Sequence, residues 1–302
     1  MACTGALAQT AGTQASADPL TFQQARAWED LKTQVAFGYR IPGTADHIKC
    51  RDFINDELKK SCDDVKLQPL THTWSKTGKE VKMWNIIGTQ NWEHAKQRIV
   101  LLAHWDSRPS ADQEETAERR AKPIPGANDG ASGVSVLLEL ARSMKGKVPK
   151  DLGVMYLMTD GEDLGPGLNE MFLGAVYFAK HLPEQKPNYG ILLDMIGDKD
   201  LKIPLEPNSM QYAGNLMFDF FRNAAEAGSG SAFPQVMGPE ILDDHLSLNE
   251  AKIPTIDLID FDYPQWHTLD DTVAHCSADS LGKVGKALQR WLLMDPPYEL
   301  KK

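Results

Sequence analysis

Several stretches of the chain show the spacing of amphipathic helices. In residues 21–37 apolar side chains recur every three to four positions, which places them on one side of a helix: Phe22, Ala25, Trp28, Leu31 and Val35. Residues 44–60 have a similar pattern, and Thr44 is the type of residue that accepts a hydrogen bond at a helix N-terminus. Four further helices are predicted, over residues 130–144, 175–181, 209–227 and 280–293.

Other stretches have the patterns of strands. Residues 65–74 and 80–88 alternate between polar and apolar side chains and flank Lys76-Thr77-Gly78, which predicts a hairpin. Residues 98–103, 152–158, 189–194 and 253–259 are short apolar runs, typical of strands that are buried on both faces.

The alternation of strands and helices predicts an α/β fold. We expect a single domain over residues 21–302, with a central, twisted, mixed and mostly parallel sheet and helices on both faces. The hairpin would add antiparallel strands at one edge of this sheet. Residues 1–20 are small and polar and predict a flexible leader without an apolar signal core.

Composition excludes some classes of partner. The chain of 302 residues has a formal net charge of −10, which argues against nucleic acid and anionic membranes as partners. No apolar run reaches the roughly 18 residues that a transmembrane helix needs. Cys50 and Cys62 would lie about 18 Å apart on one continuous helix, which is too far for a disulfide.

Side chains of the types that bind metals follow the predicted strands. In a parallel sheet the carboxyl ends of the strands lie at one edge, where ligands bind. The stretch 236–242 is counted here as a further strand end, and Asp129 precedes the helix at 130–144. The residues so placed are His104, Asp106, Asp129, Glu162, Asp163, Asp194, Asp243, Asp244 and His267.

The adjacent carboxylates of Glu162 and Asp163 indicate a cation. Two such groups repel one another, and a bound cation allows both to stay ionised. Zinc suits histidine and carboxylate ligands with one open position. Asp163 could then bind the metal while Glu162 transfers protons, and Asp106 could accept the imidazole N–H of His104.

Each of these residues also has a role that needs no metal. His104 could be a hydrogen-bonded core histidine, and Asp129 or Asp243 could cap a helix. Glu162-Asp163 could be a solvated loop, and Trp266 could be a core residue. The joint placement at one sheet edge favours the metal site. The remaining histidines away from strand ends are predicted to lie on the surface: His47, His72, His94, His181 and His275.

Six motifs in order resemble the zinc-dependent M28 peptidase clan. They are AHWDSRP, GANDGASGVSVLLELAR, TDGED, LLDMIGD, DDH and QWHTLDD, and the resemblance covers residues 21–293. Within the clan, the chain looks most like the bacterial glutaminyl cyclases. In two respects it departs from the animal cyclases, which have Glu-Glu where this chain has Glu162-Asp163 and a tryptophan a few residues later, where this chain has none.

The resemblance implies the roles of the site residues. The clan's aminopeptidases hold two zinc ions, with ligands that match His104, Asp129, Asp163, Asp194 and His267. The cyclases hold one zinc ion, with ligands that match Asp129, Asp163 and His267. By the resemblance to the cyclases, Glu162 of this chain would transfer protons, and Asp194 and Asp243 would form a hydrogen-bond network around it. Trp266 would line the substrate pocket.

The resemblance also implies the reaction and its setting. We expect one zinc ion and the conversion of N-terminal glutamine of peptides or proteins to pyroglutamate, in a pocket walled by residues 161–172 and 198–210. The alternatives are a two-zinc aminopeptidase and an inactive member that binds peptide N-termini. We expect a secreted or periplasmic monomer. Cys3, followed by Thr-Gly, resembles the mature start of a bacterial lipoprotein, and the alternative is that this N-terminus carries no signal.

Overall fold

The computed structural model describes residues 20–294 of the protein. Nearly all of the predicted leader, including Cys3, lies outside the described residues. The described helices are α1 (Gln24–Ala36), α2 (Ala45–Lys59), α3 (Ala117–Arg120), α4 (Ser132–Met144), α5 (Leu173–Lys180), α6 (Pro207–Glu226), α7 (Asp244–Glu250) and α8 (Ala278–Leu292). No described helix combines the length and the apolar character that crossing a bilayer requires.

The described strands form one mixed sheet, as predicted. They are β1 (Asp64–Trp74), β2 (Lys79–Gln90), β3 (Gln97–His104), β4 (Leu152–Thr159), β5 (Tyr189–Asp194) and β6 (Thr255–Ile259). Their order is β1-β2-β4-β3-β5-β6. The strands β4, β3, β5 and β6 are parallel, and the hairpin β1-β2 adds antiparallel strands at one edge.

Helices cover both faces of the sheet. One core cluster joins α1, α2, α4, α6 and α8 to alternate strand residues such as Leu101 and Tyr156. A second cluster joins α5 and α7 to the residues between them, such as Leu102 and Leu157. Successive side chains of a strand point to opposite faces, so β3 and β4 bury an apolar side chain at nearly every position.

The helix α4 lies against the sheet and leads away from the predicted site. A Cβ atom on Gly133 would lie 2.3 Å from the Leu193 carbonyl oxygen and 2.8 Å from the Ala103 Cβ. Only a residue without a side chain permits this approach, which brings the first turn of α4 over β3 and β5. The N-terminal end of α4 is therefore held close to the carboxyl ends of these two strands.

Two sequence-based predictions about the fold are wrong. His47 is buried, not exposed: its Nε2 lies 2.9 Å from Asp160 Oδ1, and its ring stacks on Trp105. The stretch 236–242 forms no sheet strand and contributes only an isolated bridge between Met237 and Leu205. Its apolar residues are largely solvent-exposed, because they lie in a loop outside the two large core clusters.

The cysteines within the described residues are free thiols. Cys50 is buried in α2 and Cys62 lies just beyond the end of that helix, and neither forms a disulfide. The two thiols are unbridged as expected, although α2 ends before Cys62, so the separation along one continuous helix does not apply.

Candidate active site

The parallel strands deliver polar side chains to one edge of the sheet. His104 is the last residue of β3, and Asp194 is the last residue of β5. Glu162 and Asp163 follow the end of β4, while His267 lies in the loop after β6. Asp243 does not follow a strand. It is the N-terminal cap of α7 and accepts the Asp244 N–H, which is the alternative role that the sequence allowed.

The loop that carries Asp129 is held by a buried acceptor. The two carboxylate oxygens of Asp271 accept the backbone N–H groups of Asn128, at 2.9 Å, and of Asp129, at 3.2 Å. Gly130 follows with a φ of +99°, and a Cβ there would lie 2.3 Å from the Asp106 carbonyl oxygen. Glycine is required at this turn because it adopts positive φ and leaves room for the backbone to cross.

Asp106 orients the loop that carries the two adjacent acids. Its two carboxylate oxygens accept the backbone N–H groups of Glu162 and Asp163, each at 3.2 Å. The distance from Asp106 Oδ1 to His104 Nδ1 is 3.6 Å, which is beyond hydrogen-bond length. Asp106 therefore holds the acid pair, and the predicted hydrogen bond to His104 is not formed.

Two groups of side chains have the spacing of metal ligands, and they share Asp129. In the first group, one potential ligand atom each from Asp129, Asp163 and His267 lies within 4.8 Å of the others. The second group consists of His104, Asp129 and Asp194. Here the Nε2 atom of His104 lies 3.1 Å from Asp129 Oδ1 and 3.2 Å from Asp194 Oδ1.

The first group fits a zinc ion. It offers one imidazole nitrogen and two carboxylates, which are ligands that zinc accepts. Asp163 Oδ2 is buried and has no hydrogen-bond partner among the described residues. The Nε2 atom of His267 lies 3.6 Å from both Asp129 Oδ2 and Asp163 Oδ1, beyond hydrogen-bond length, so the imidazole faces both carboxylates without bonding to either.

Burial and like charge disfavour the ionised forms of the two adjacent acids. Burial raises the pKa of Glu162 well above its ordinary value. His104 opposes this shift, while the carboxylates of Asp163 and Asp243 add to it. The pKa of Asp163 is raised to about 7 by burial and by Asp129, although His267 and Arg108 oppose the shift. In the absence of a cation, both groups therefore tend to keep a proton.

The pKa values of the two site histidines are also raised, which for an imidazole favours the charged form. Burial lowers the pKa of His104, but the facing carboxylates, Glu162 foremost, outweigh it and raise the pKa well above its ordinary value. The pKa of His267 is likewise raised by Asp163 and Asp112 against the effect of burial.

Burial and the Asp194 and Asp244 charges raise the pKa of Asp243 well above its usual range.

A narrow cavity opens onto these side chains. It is lined by Asp129, Glu162, Asp163, Met171, Asp194, Met195, Ile241, Leu242, Asp243, Ile259, Phe261, Trp266 and His267. Its volume is about 60 Å³, small beside the roughly 300–1,000 Å³ of common ligand pockets. Trp266 stacks on His267 with ring centroids 4.0 Å apart and also contacts Phe261.

The cavity brings together most of the predicted residues. His104 lies beside it, against Asp129 and Asp194. No described hydrogen bond joins Glu162 to Asp194 or Asp243, so the three share a cavity without the predicted bonded network. The predicted wall at residues 161–172 contributes Glu162, Asp163 and Met171. The wall predicted at 198–210 is wrong, since Asp198, Asp200 and Lys202 line a separate cavity and 241–243 takes this place.

The sequence-based prediction missed two charged residues beside the site. Arg108 is buried and forms an ion pair with Asp163. Asp112 accepts a hydrogen bond from His267 Nδ1 at 2.9 Å. Burial raises the pKa of Asp112, but His267 and Arg108 outweigh it and hold the pKa at about 2. The available signal was that Arg108 lies in the same motif, AHWDSRP, as His104.

Known proteins with similar sequences and structures define the family. A model described as Peptidase family M28 matches residues 85–292. The aminopeptidase YwaD of Bacillus subtilis (strain 168) is 30% identical over 213 residues, which are 67% of this chain and 42% of that protein. The chain thus spans less than half the length of this curated relative.

Solved structures match over nearly their whole length. A zinc-dependent exopeptidase from Parabacteroides distasonis is 33% identical with a TM-score of 0.86, covering 90% of this chain and 98% of that chain. A glutaminyl cyclase from Bacteroides thetaiotaomicron, bound to N-acetylhistamine, is 34% identical with a TM-score of 0.85 and the same coverage. From these matches, and from the carboxylates and histidines gathered at one sheet edge, we conclude that this chain belongs to peptidase family M28.

Proposed function

We propose that the protein is a zinc-dependent glutaminyl-peptide cyclotransferase, which converts N-terminal glutamine of peptides to pyroglutamate and releases ammonia. The observation that carries the proposal is the acid Asp243, which lines the same narrow cavity as Glu162 and raises its pKa. A carboxyl group with a raised pKa can both take and return a proton near neutral pH. The likeness to a bacterial glutaminyl cyclase supports this assignment.

We assign the metal to Asp129, Asp163 and His267. When bound there, zinc supplies Lewis-acid polarisation of the substrate's γ-carboxamide oxygen. The Asp106 carboxylate accepts the backbone N–H of Asp163 and so keeps this ligand in place. One ion suffices for a cyclisation, because the substrate's own amine is the nucleophile and no water has to be activated.

Glu162 carries the proton transfers in this proposal. Its carboxylate removes a proton from the α-amino group, whose nitrogen forms a bond to the side-chain carbonyl carbon. The bond from this carbon to the amide nitrogen then breaks, and Glu162 returns the proton so that ammonia leaves. Burial and the neighbouring carboxylates of Asp163 and Asp243 keep the pKa of Glu162 raised, and Asp194 lines the same cavity.

Trp266 forms the apolar wall against which the glutamine side chain would pack. The ring lies next to His267 and contacts Phe261, so it is fixed beside the proposed metal. The small volume of the cavity, about 60 Å³, fits a site that takes up a single side chain of the substrate. The substrate class that follows is peptides and proteins with an N-terminal glutamine.

The test is to incubate the purified, zinc-loaded protein with Gln-Phe-Ala and to follow peptide mass and ammonia together. Loss of one ammonia from the peptide, with an equal amount of ammonia in solution, is the expected result. Free glutamine together with the dipeptide Phe-Ala would contradict the proposal. A lack of both products would also contradict it and would favour a protein that binds peptide N-termini.

A two-zinc aminopeptidase is the second candidate. The observation in its favour is the second ligand group, His104, Asp129 and Asp194, which shares Asp129 with the first. The resemblance to the aminopeptidase YwaD points the same way. A metal content near two ions per chain, combined with release of free amino acids from unblocked peptides, would establish this activity in place of the cyclase.

A further inference from the structure

Arg108 connects one proposed metal ligand to a neighbouring acid. Its guanidinium group forms an ion pair with Asp163 and a second one with Asp112, at 2.7 Å from Nη2 to Oδ2. The Arg108 side chain is 5% exposed and that of Asp163 is 1% exposed. A planar guanidinium can bind two carboxylates in a fixed geometry, so Arg108 sets the position of Asp112 relative to Asp163.

Asp112 in turn fixes the imidazole ring of His267. Its Oδ1 atom lies 2.9 Å from His267 Nδ1. An ionised carboxylate only accepts hydrogen bonds, so the proton of the neutral imidazole stays on Nδ1. The other nitrogen, Nε2, is then an acceptor, and it points toward Asp129 and Asp163 at 3.6 Å from each.

The backbone holds the same arrangement together. The Gln113 N–H donates to the His267 carbonyl oxygen at 3.2 Å. The residue after Asp112 is therefore bonded to the backbone of His267, whose ring Asp112 orients. On the other side, a Cβ on Gly165 would lie 3.2 Å from Arg108 Nη1. The guanidinium group therefore lies between the loop that carries Asp163 and Gly165 on one side and Asp112 on the other.

We propose that Arg108 and Asp112 are positioning residues for the metal, which preset the Nδ1–H tautomer and ring direction of His267 and the carboxylate direction of Asp163. The inference rests on the metal site of the proposed function. It holds equally for a cyclase and an aminopeptidase, because both activities use Asp163 and His267 as ligands. Such partners of metal ligands contribute to metal affinity without touching the metal.

The experiment measures the zinc dissociation constant by competition with a chromophoric chelator at fixed pH. Asp112→Ala removes the acceptor, and we expect zinc binding that is about 10- to 100-fold weaker. Asp112→Asn keeps an acceptor oxygen but loses the charge, so its loss is expected to be smaller than that of the alanine variant. Arg108→Lys keeps the charge without the two-pronged geometry and is also expected to weaken zinc binding.

Glu115→Gln is the matched control, because Glu115 is an exposed acid in the same loop and has no contact with either ligand group. It should bind zinc as the parent does. Circular dichroism and the metal-free melting temperature show whether each variant is folded. Asp112 is half-buried, so its replacement by asparagine should leave the fold intact.

Parental zinc affinity in both folded Asp112 variants would overturn the inference. Failure of the parent to bind zinc would overturn it together with the proposed metal site. Zinc binding by the parent without cyclisation of Gln-Phe-Ala would overturn the cyclase alone. In that case the graded loss over the parent, the asparagine variant and the alanine variant would still support the positioning role.

Discussion

Glu162 is the residue on which the proposed chemistry depends, and its environment separates proton transfer from metal binding. Neither group of ligand-spaced side chains includes it, and its raised pKa comes first from burial and then from neighbouring carboxylates. We therefore expect Glu162→Gln to reduce turnover by a factor of about 10² to 10⁴ or more. Turnover of Gln-Phe-Ala and zinc content per chain, measured on the same sample, check this prediction.

The zinc content is the internal control for this variant. Glutamine has the shape of glutamate and cannot take up a proton, so the fold and the metal should remain. A variant that loses zinc together with activity would show that Glu162 is a metal ligand, and the assignment of Asp163 would then have to change.

Single residues also show where sequence-based reasoning stops. Glu162 and Asp163 can be predicted because two adjacent acids after an apolar strand are conspicuous and physically costly. Asp112 lies in a loop without periodicity, and its contact with His267 spans 155 positions of the chain. A contact of this kind is created by the fold, so no local sequence pattern predicts it. His47 is misplaced for the same reason, since its partner Asp160 is 113 positions away.

At the scale of elements, the contact between α4 and the sheet allows a direct test. Gly133→Ala would place a Cβ 2.3 Å from the Leu193 carbonyl oxygen, and backbone there cannot move without shifting β5. We expect a loss of about 1–3 kcal/mol in the free energy of unfolding, measured by urea denaturation. Zinc affinity should fall as well, because Asp129 lies only a few residues before this helix.

Gly214→Ala on α6 is the comparison for that variant. Its nearest neighbour would be the Met210 Cε at 3.5 Å, an ordinary contact just after the kink of α6 at Ala213, so no clash should lower the urea midpoint. Equal destabilisation by the two substitutions would mean that the close approach of α4 to the sheet is not the cause.

The elements that the sequence predicts well are those with a regular pattern of apolar positions. The four buried parallel strands and the hairpin are predicted within a few residues of their ends, because alternation is typical of a half-buried strand and a run of only four to eight apolar residues is short for a helix. The seven-residue α7 is missed, since it offers too few apolar positions to show a period. The stretch 236–242 is mistaken for a strand end because its composition is apolar although Val236 and Met237 are exposed.

At the scale of the whole molecule, the buried acids make stability depend on pH and metal together. Burial and neighbouring charges raise the pKa values of Asp163, Asp244 and Asp271 to about 7, against about 3.9 in an unfolded chain. Between these values the folded metal-free protein binds more protons than the unfolded chain. Its free energy of unfolding must therefore fall as pH rises from about 4 to 7.

The two site histidines act in the same direction. Their raised pKa values mean that the stability they contribute is present below the unfolded value of about 6.5 and is lost as pH rises through the folded values. Zinc reverses the trend, since its ligands must be deprotonated. We expect the melting temperature with a chelator to fall from pH 5 to 7, while the increase produced by zinc grows.

Differential scanning calorimetry at pH 5, 6 and 7, with zinc and with a chelator, measures both quantities. A chelated melting temperature that rises across this range would contradict the buried-acid mechanism. An increase from zinc that does not grow with pH would contradict the assignment of carboxylate ligands.

The hydrogen bonds that the backbone N–H groups of Asn128 and Asp129 donate to the Asp271 carboxylate have a consequence for biosynthesis. The ribosome makes the chain from its N-terminus, so His104, Asp129 and Glu162 emerge well before His267 and Asp271. Until then the loop before α4 has no acceptor for its two N–H groups, and Asp129 and Asp163 have no His267 with which to share an ion. We expect nascent chains that stop before residue 267 to bind zinc weakly, so that metal uptake is a late step of maturation.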